Sequence, residues 1–257
     1  MELSLQAFLI VCPLVFLGGF VDAVAGGGGL ITVPAYMIAG LPAHFSIATN
    51  KLSASMGTTL STFKLGRAGN IPWKKAVVCI IAAIFGGSLG AKLALMVSDD
   101  LFKKIMLVVI PLTALYIMRT KSMDRKEEAD EAEEGSQIKY MVLAALIAFS
   151  IGVYDGFYGP GTGTFLILLL SGLAHFGLGE ANGVSKAINL TTNLSSLVVY
   201  LMNGKVVILL GLVAGIFGIL GNYIGVRLFM DKGAKAVKPL MITVMIIFFI
   251  RIISEMI

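Results

Sequence analysis

The sequence predicts an all-α polytopic membrane protein made of two inverted repeats, each of about five helical segments. Three observations carry that expectation: an apolar composition, a motif that returns at a fixed offset, and an uneven distribution of basic residues. Of the 257 residues, 57% are hydrophobic and 14% are charged, and the mean hydropathy is +0.92. Soluble domains carry about 25% charged residues, so the solvent for most of this chain is lipid.

The stretch "GGFVDAVAGGGGLITVP" (18–34) places an aspartate and four consecutive glycines inside an apolar run, and "IGVYDGFYGPGTGTFLI" (151–167) nearly repeats it. Asp22 matches Asp155, and Gly26 and Gly28 match Gly159 and Gly161, at an offset of 133. Further on, Asn50-Lys51 falls on Ser185-Lys186 at an offset of 135, and the same offset takes Gly69 to Gly204, Gly86 to Gly221, Gly90 to Gly225 and Lys103 to Lys238. Charges recurring where charges are rare mark a tandem repeat of one membrane unit.

Taken in order, the run 3–24 ends at Ala23-Val24-Ala25, which mimics a leader cleavage site. No basic residue precedes it, and its Asp22 motif recurs deep inside the chain, so it is expected to be a retained helix. The run 29–43 and its counterpart 162–176 are too short for a span, which needs about 20 residues, and read as broken or re-entrant helices. Runs 46–65, 74–97 and 101–118 complete the first repeat (1–118), with Trp73 beside Lys74 and Lys75 as an interfacial anchor. The interval "RTKSMDRKEEADEAEEGSQIK" (119–139) is too short and charged to bury a core and reads as a solvated linker. The second repeat (140–257) supplies 140–157, 162–176, 183–202, 206–228 and 238–254. Cys12 and Cys79 lie in apolar runs without paired spacing and read as small buried hydrophobes.

An odd number of crossings per repeat collects thirteen Lys and Arg residues on one face against five on the other. An even number reduces the bias to about 11 against 7. Basic residues favour the cytoplasmic side. The expected arrangement is therefore a multi-pass cell-membrane protein with an inverted repeat, both termini outside and the 119–139 linker in the cytoplasm.

The glycine runs then have a physical purpose. Backbone leaves a helix inside a bilayer only where it lines a cavity or is buried in protein. Gly26 to Gly29, and Gly159 to Gly163, permit such a break, and the amides of the following helix start offer an anion site at Gly28 and Gly161. The competing reading is close helix packing, which suits spaced glycines better than four in a row.

"DAVAGGGGLITVP", "PAHFSIATNKLSA", "YDGFYGPGTGTFL" and "NGVSKAINLTTNLSSLVVY" closely resemble the two repeats of the sulfite exporter TauE/SafE family of membrane permeases. The resemblance covers nearly the whole chain except the linker. It implies a carrier for small sulfur-containing anions: sulfite, sulfonates such as sulfoacetate, or thiosulfate. Ser185 stands where the first repeat has Asn50, so the two halves of a site are not chemically identical.

Lys51 and Lys186 are the candidate anion ligands, because a buried ammonium is costly unless compensated. Thr49, Asn50 and Ser53 in one half, and Ser185, Asn189 and Asn193 in the other, surround them at helical spacing with donors suited to sulfonate oxygens. The opposing reading makes these polar groups interhelical glue and the lysines interfacial. Asp22 and Asp155 have three open readings: proton carriers, ion-pair partners of the lysines in an empty site, or helix caps. His44 and His175, each in Ala-His-Phe, read as helix-end residues with a candidate gating role.

No phosphate-loop GK[ST], nucleophile or metal cluster accompanies these motifs, and no GxGD precedes Asp22, so an enzyme is not expected. The net charge of +5 reflects membrane orientation and calls for no nucleic acid. No cofactor is implied, transport would be passive or coupled to a proton or cation, and an oligomer is compatible with the pattern. The alternative function is a passive anion channel using the same basic residues.

Overall fold

The computed structural model describes residues 4–99, 101, 104 and 134–232. Every described element is helical: α1 (Leu5–Ala25), α2 (Gly29–Ile38), α3 (Ala43–Arg67), α4 (Trp73–Leu95), α5 (Glu134–Phe157), α6 (Thr162–Gly172), α7 (Leu178–Met202) and α8 (Ile208–Lys232). The expected segments 101–118, apart from residues 101 and 104, and 238–254 lie outside the described residues. So does the linker up to residue 133, while 134–139, read from the sequence as linker, form the first turns of α5.

Local chemistry sets the ends. The Ser4 side chain accepts from the Ala7 amide to start α1, and Gly26, at φ 77°, closes it by donating to the Asp22 carbonyl. Pro42 and Pro72 stand at the N-caps of α3 and α4, where a missing N–H costs nothing. At 10 and 11 residues, α2 and α6 are about 15 Å long, half a bilayer core.

Among the described residues, four helices, α1, α4, α5 and α8, are long and apolar enough to cross a membrane. Their outward residues, among them Leu9, Ile81, Phe85, Leu146 and Ile216, are exposed hydrophobics, as a lipid-facing surface requires. The 25-residue helices α3 and α7 carry the polar residues, bury them, and pack against each other at the centre.

Packing partners exchange consistently between the halves. α1 pairs with α8 as α5 pairs with α4, α3 packs on α8 as α7 packs on α4, and α2 sits on α1 and α3 as α6 sits on α5 and α7. Small residues make these seams: Gly218, Gly221 and Gly225 of α8 meet α1 at successively later residues, from Val15 to Ala23. Gly86 and Gly90 of α4 meet α5 in the same way, from Phe149 to Phe157. Both seams are therefore parallel, and the repeat-matched spaced glycines serve close helix approach.

Helix directions follow from the other contacts. Along α3, Thr49, Met56 and Ser61 meet Gly211, Gly215 and Asn222 of α8, so these two are parallel. The start of α3 bonds the end of α4 (His44 to Ala94) while its end meets Trp73, so α3 and α4 are antiparallel. Consequently α1, α3 and α8 point one way, and α4 and α5 the other.

Candidate functional site

The two glycine-rich breaks meet each other. Gly26 lies against the backbone of Gly163, and Gly29 against Pro160. Left-handed φ values of 77°, 98° and 84° at Gly26, Gly159 and Gly161 let the chain reverse there at little steric cost. The second break is held by the Tyr154 hydroxyl, which donates to the Pro160 carbonyl at 2.7 Å, and by Tyr200, which donates to the Gly156 carbonyl at 2.9 Å.

Beside the breaks lies a small, partly open cavity. It is lined by Asp22 and the glycines of the first break, by Asn50, Lys51, Ser53 and Thr58 of α3, and by Asp155, Gly159, Thr162, Asn189, Asn193 and Asn222 from the second half. Asn50 to Thr58 extends it along about 12 Å of α3.

The lysines are held by the opposite repeat. Lys51 donates to the Asp155 carboxylate at 2.7 Å, and Lys186 donates to that of Asp22 at 3.0 Å. Lys186 also donates to the main-chain carbonyl of Asp22, in the last turn of α1. An ammonium at a helix C-terminus meets the negative end of the peptide dipoles, so Lys186 has a carboxylate and a helix end as counter-charge. Both pairs are nearly sealed, with lysine side chains 2% and 0% exposed. The geometry corresponds to the ion-pair reading of the aspartates; that each pair joins the two halves was not legible in either half alone.

Of the expected site residues, Asn50, Lys51, Ser53, Asn189, Asn193, Gly28, Asp22 and Asp155 converge on the cavity. Ser53 accepts the Tyr36 hydroxyl at 2.8 Å, and Asn193 donates to the Asn189 side chain at 3.2 Å. Other candidates bond elsewhere: Thr49 accepts the Val207 amide at 3.0 Å, and Ser185 donates to the Gly163 carbonyl at 3.2 Å, so both fasten helices. Gly161 caps the start of α6. Lys186 lies behind Asp22.

The histidines are set apart from the cavity and differ from each other. His44 joins the start of α3 to the end of α4, through Asp99 and through the Ala94 carbonyl at 2.8 Å. His175 stands between α6 and α7 at φ 56°, its ring 4.6 Å from that of Tyr140. Neither lines the cavity. His44→Ala is therefore expected to lower stability by about 1–2 kcal/mol, as measured by thermal unfolding.

Asn222, like Thr58 and Thr162, lines the cavity without being among the residues expected from the sequence. It is 3% exposed, accepts from Ser61 at 2.5 Å and donates to the Gly218 carbonyl at 2.9 Å. The signal was present: an amide inside an apolar run, whose equivalent at the offset of 135 is Gly87.

Comparison with known proteins agrees with this picture. The family model "Sulfite exporter TauE/SafE" matches residues 11–252. "Probable membrane transporter protein ORF9" of Sinorhizobium sp. is 36% identical over 251 residues, covering 98% of this chain and 93% of the relative. A "Probable membrane transporter protein" of Haemophilus influenzae is 31% identical over 245 residues, 94% of this chain and 92% of the relative. "Probable membrane transporter protein YfcA" of Escherichia coli K12 is 33% identical over 229 residues, 89% and 82%. No solved structure matches significantly.

Proposed function

The chain belongs to the sulfite exporter TauE/SafE family of membrane transporters, and on that premise we propose that it is a secondary carrier for small sulfur-containing anions such as sulfite, sulfonates or thiosulfate. The observation that carries the proposal is the cavity itself: lysine, amide and hydroxyl groups gathered at the meeting of two helix breaks, inside an apolar shell. Oxyanions accept such donors, and charge-assisted bonds are the stronger kind.

Alternating access is the proposed mechanism, with one repeat moving against the other around the cavity. Supporting it, the equivalent helices α1 and α5 run in opposite directions while their packing partners exchange between halves. An inverted repeat of this kind has an odd number of crossings per half. With Lys64 and Arg67 at the end of α3 and Lys74 and Lys75 at the start of α4 on the inside, the termini lie outside and residues 119–139 in the cytoplasm. Backbone contact between the breaks favours a gated carrier over a continuous pore.

Proteoliposomes containing the protein test this. Labelled sulfite and a labelled sulfonate are expected to enter saturably and to show counterflow; current without saturation would make the protein a channel, and no movement of either anion would overturn the substrate class. In the same assay Asn193→Ala removes one cavity donor, worth about 1.5 kcal/mol toward a charged partner, and is expected to raise the half-saturating concentration about tenfold.

A further inference from the structure

The repeat-related aspartates occupy unequal environments. Asp155 has a neighbour at each oxygen: one accepts from Lys51 at 2.7 Å, the other lies 2.7 Å from the Thr162 hydroxyl, whose single proton it shares with the Gly159 carbonyl at 2.6 Å, and its side chain is 3% exposed. Asp22 accepts from Lys186 through Oδ2 at 3.0 Å; among the described residues its Oδ1 has no hydrogen-bond partner, and its side chain is 13% exposed at the cavity wall.

The charges at the cavity sum to zero. Lys51 of α3 and Asp155 of α5 cancel, as do Lys186 of α7 and Asp22 of α1. Among the described residues no other ionisable side chain lines the cavity, and Arg227, on α8 beside α1, is exposed on the outer surface. A monovalent anion entering this space leaves one uncompensated negative charge away from bulk water, which costs several kcal/mol. One proton restores neutrality. Asp22, at the cavity wall, can take it on its free oxygen, whereas protonating Asp155 disturbs the donors already beside it. A metal cation is a poor substitute, because the Lys186 ammonium adjoins the same carboxylate.

We propose that Asp22 is the proton site of the carrier, binding one proton from cavity water for each monovalent anion and releasing it with the anion on the opposite side, while Asp155 stays ionised throughout. The proposal rests on the carrier reading above and deepens it to electroneutral cotransport of proton and anion.

Two readouts test it. Infrared difference spectra of the purified protein across a pH step record the protonated-carboxyl C=O band without any substrate. A cavity-responsive band is expected in the wild type, absent in Asp22→Asn and in the charge-balanced Asp22→Asn/Lys186→Met, and retained in Lys51→Met/Asp155→Asn. In proteoliposomes, an inward proton gradient is expected to drive wild-type accumulation above equilibrium, and Asp22→Asn is expected to fall to the equilibrium level. A band that disappears with Asp155 instead, or gradient-driven accumulation intact in Asp22→Asn, overturns the proposal. If the wild type moves no sulfur anion, the carrier reading falls while the spectra still decide which carboxylate takes the proton.

Discussion

Lys51→Ala is expected to abolish saturable anion uptake and to destabilise the protein by about 3–5 kcal/mol, because it leaves the Asp155 carboxylate charged and buried without its partner. Loss of transport in that variant alone is ambiguous, since an unfolded carrier also transports nothing. Lys51→Met combined with Asp155→Asn resolves it. The pair is removed together, the side-chain amide introduced by Asp155→Asn keeps an acceptor for the Thr162 hydroxyl, and replacing a buried ion pair by uncharged groups of similar size is often close to neutral. The double variant is expected to unfold near the wild-type temperature and still fail to take up sulfite or a sulfonate. Restored uptake would reduce the pair to a structural tie.

The second large effect falls on the glycine breaks. Gly26→Ala places a methyl group in a left-handed conformation, at about 1–2 kcal/mol, and drives it into the backbone of Gly163, which cannot swing aside as a side chain could. The expected result is a loss of several kcal/mol together with transport, measured by thermal unfolding and uptake. Gly40→Ala is the control: φ is 92° there too, but nothing lies within 4 Å of the added carbon. It should lose only the conformational part and keep transporting.

The contrast shows what the sequence made legible. Runs of glycine beside aspartate marked the breaks, because close packing explains spaced glycines better than four together in an apolar segment. Offset-matched glycines such as Gly86 and Gly221 marked the repeat, and the structure places them at the helix seams. Lys51 was identifiable because an ammonium in an apolar run needs a reason. Which aspartate pairs with that ammonium was not identifiable: Asp155 is 104 residues away, and the pairing exists because the breaks of the two halves interlock, a relation that no local periodicity records. Thr49 and Ser185 misled for the opposite reason. Helical spacing placed them beside the lysines, yet which neighbour each hydroxyl meets depends on the adjacent helix, and both meet backbone groups instead. Asn222 lines the cavity only because α8 packs along α3, and its repeat counterpart, Gly87, has no side chain to signal a polar site.

Direct binding tests the central claim most simply. Sulfite and a sulfonate titrated calorimetrically into the purified protein are predicted to bind saturably at one site in the wild type and not to bind in Lys51→Met/Asp155→Asn of equal thermal stability. Equal affinity in the two proteins, or no binding of either anion to the wild type, would contradict the assignment of this cavity as the anion site.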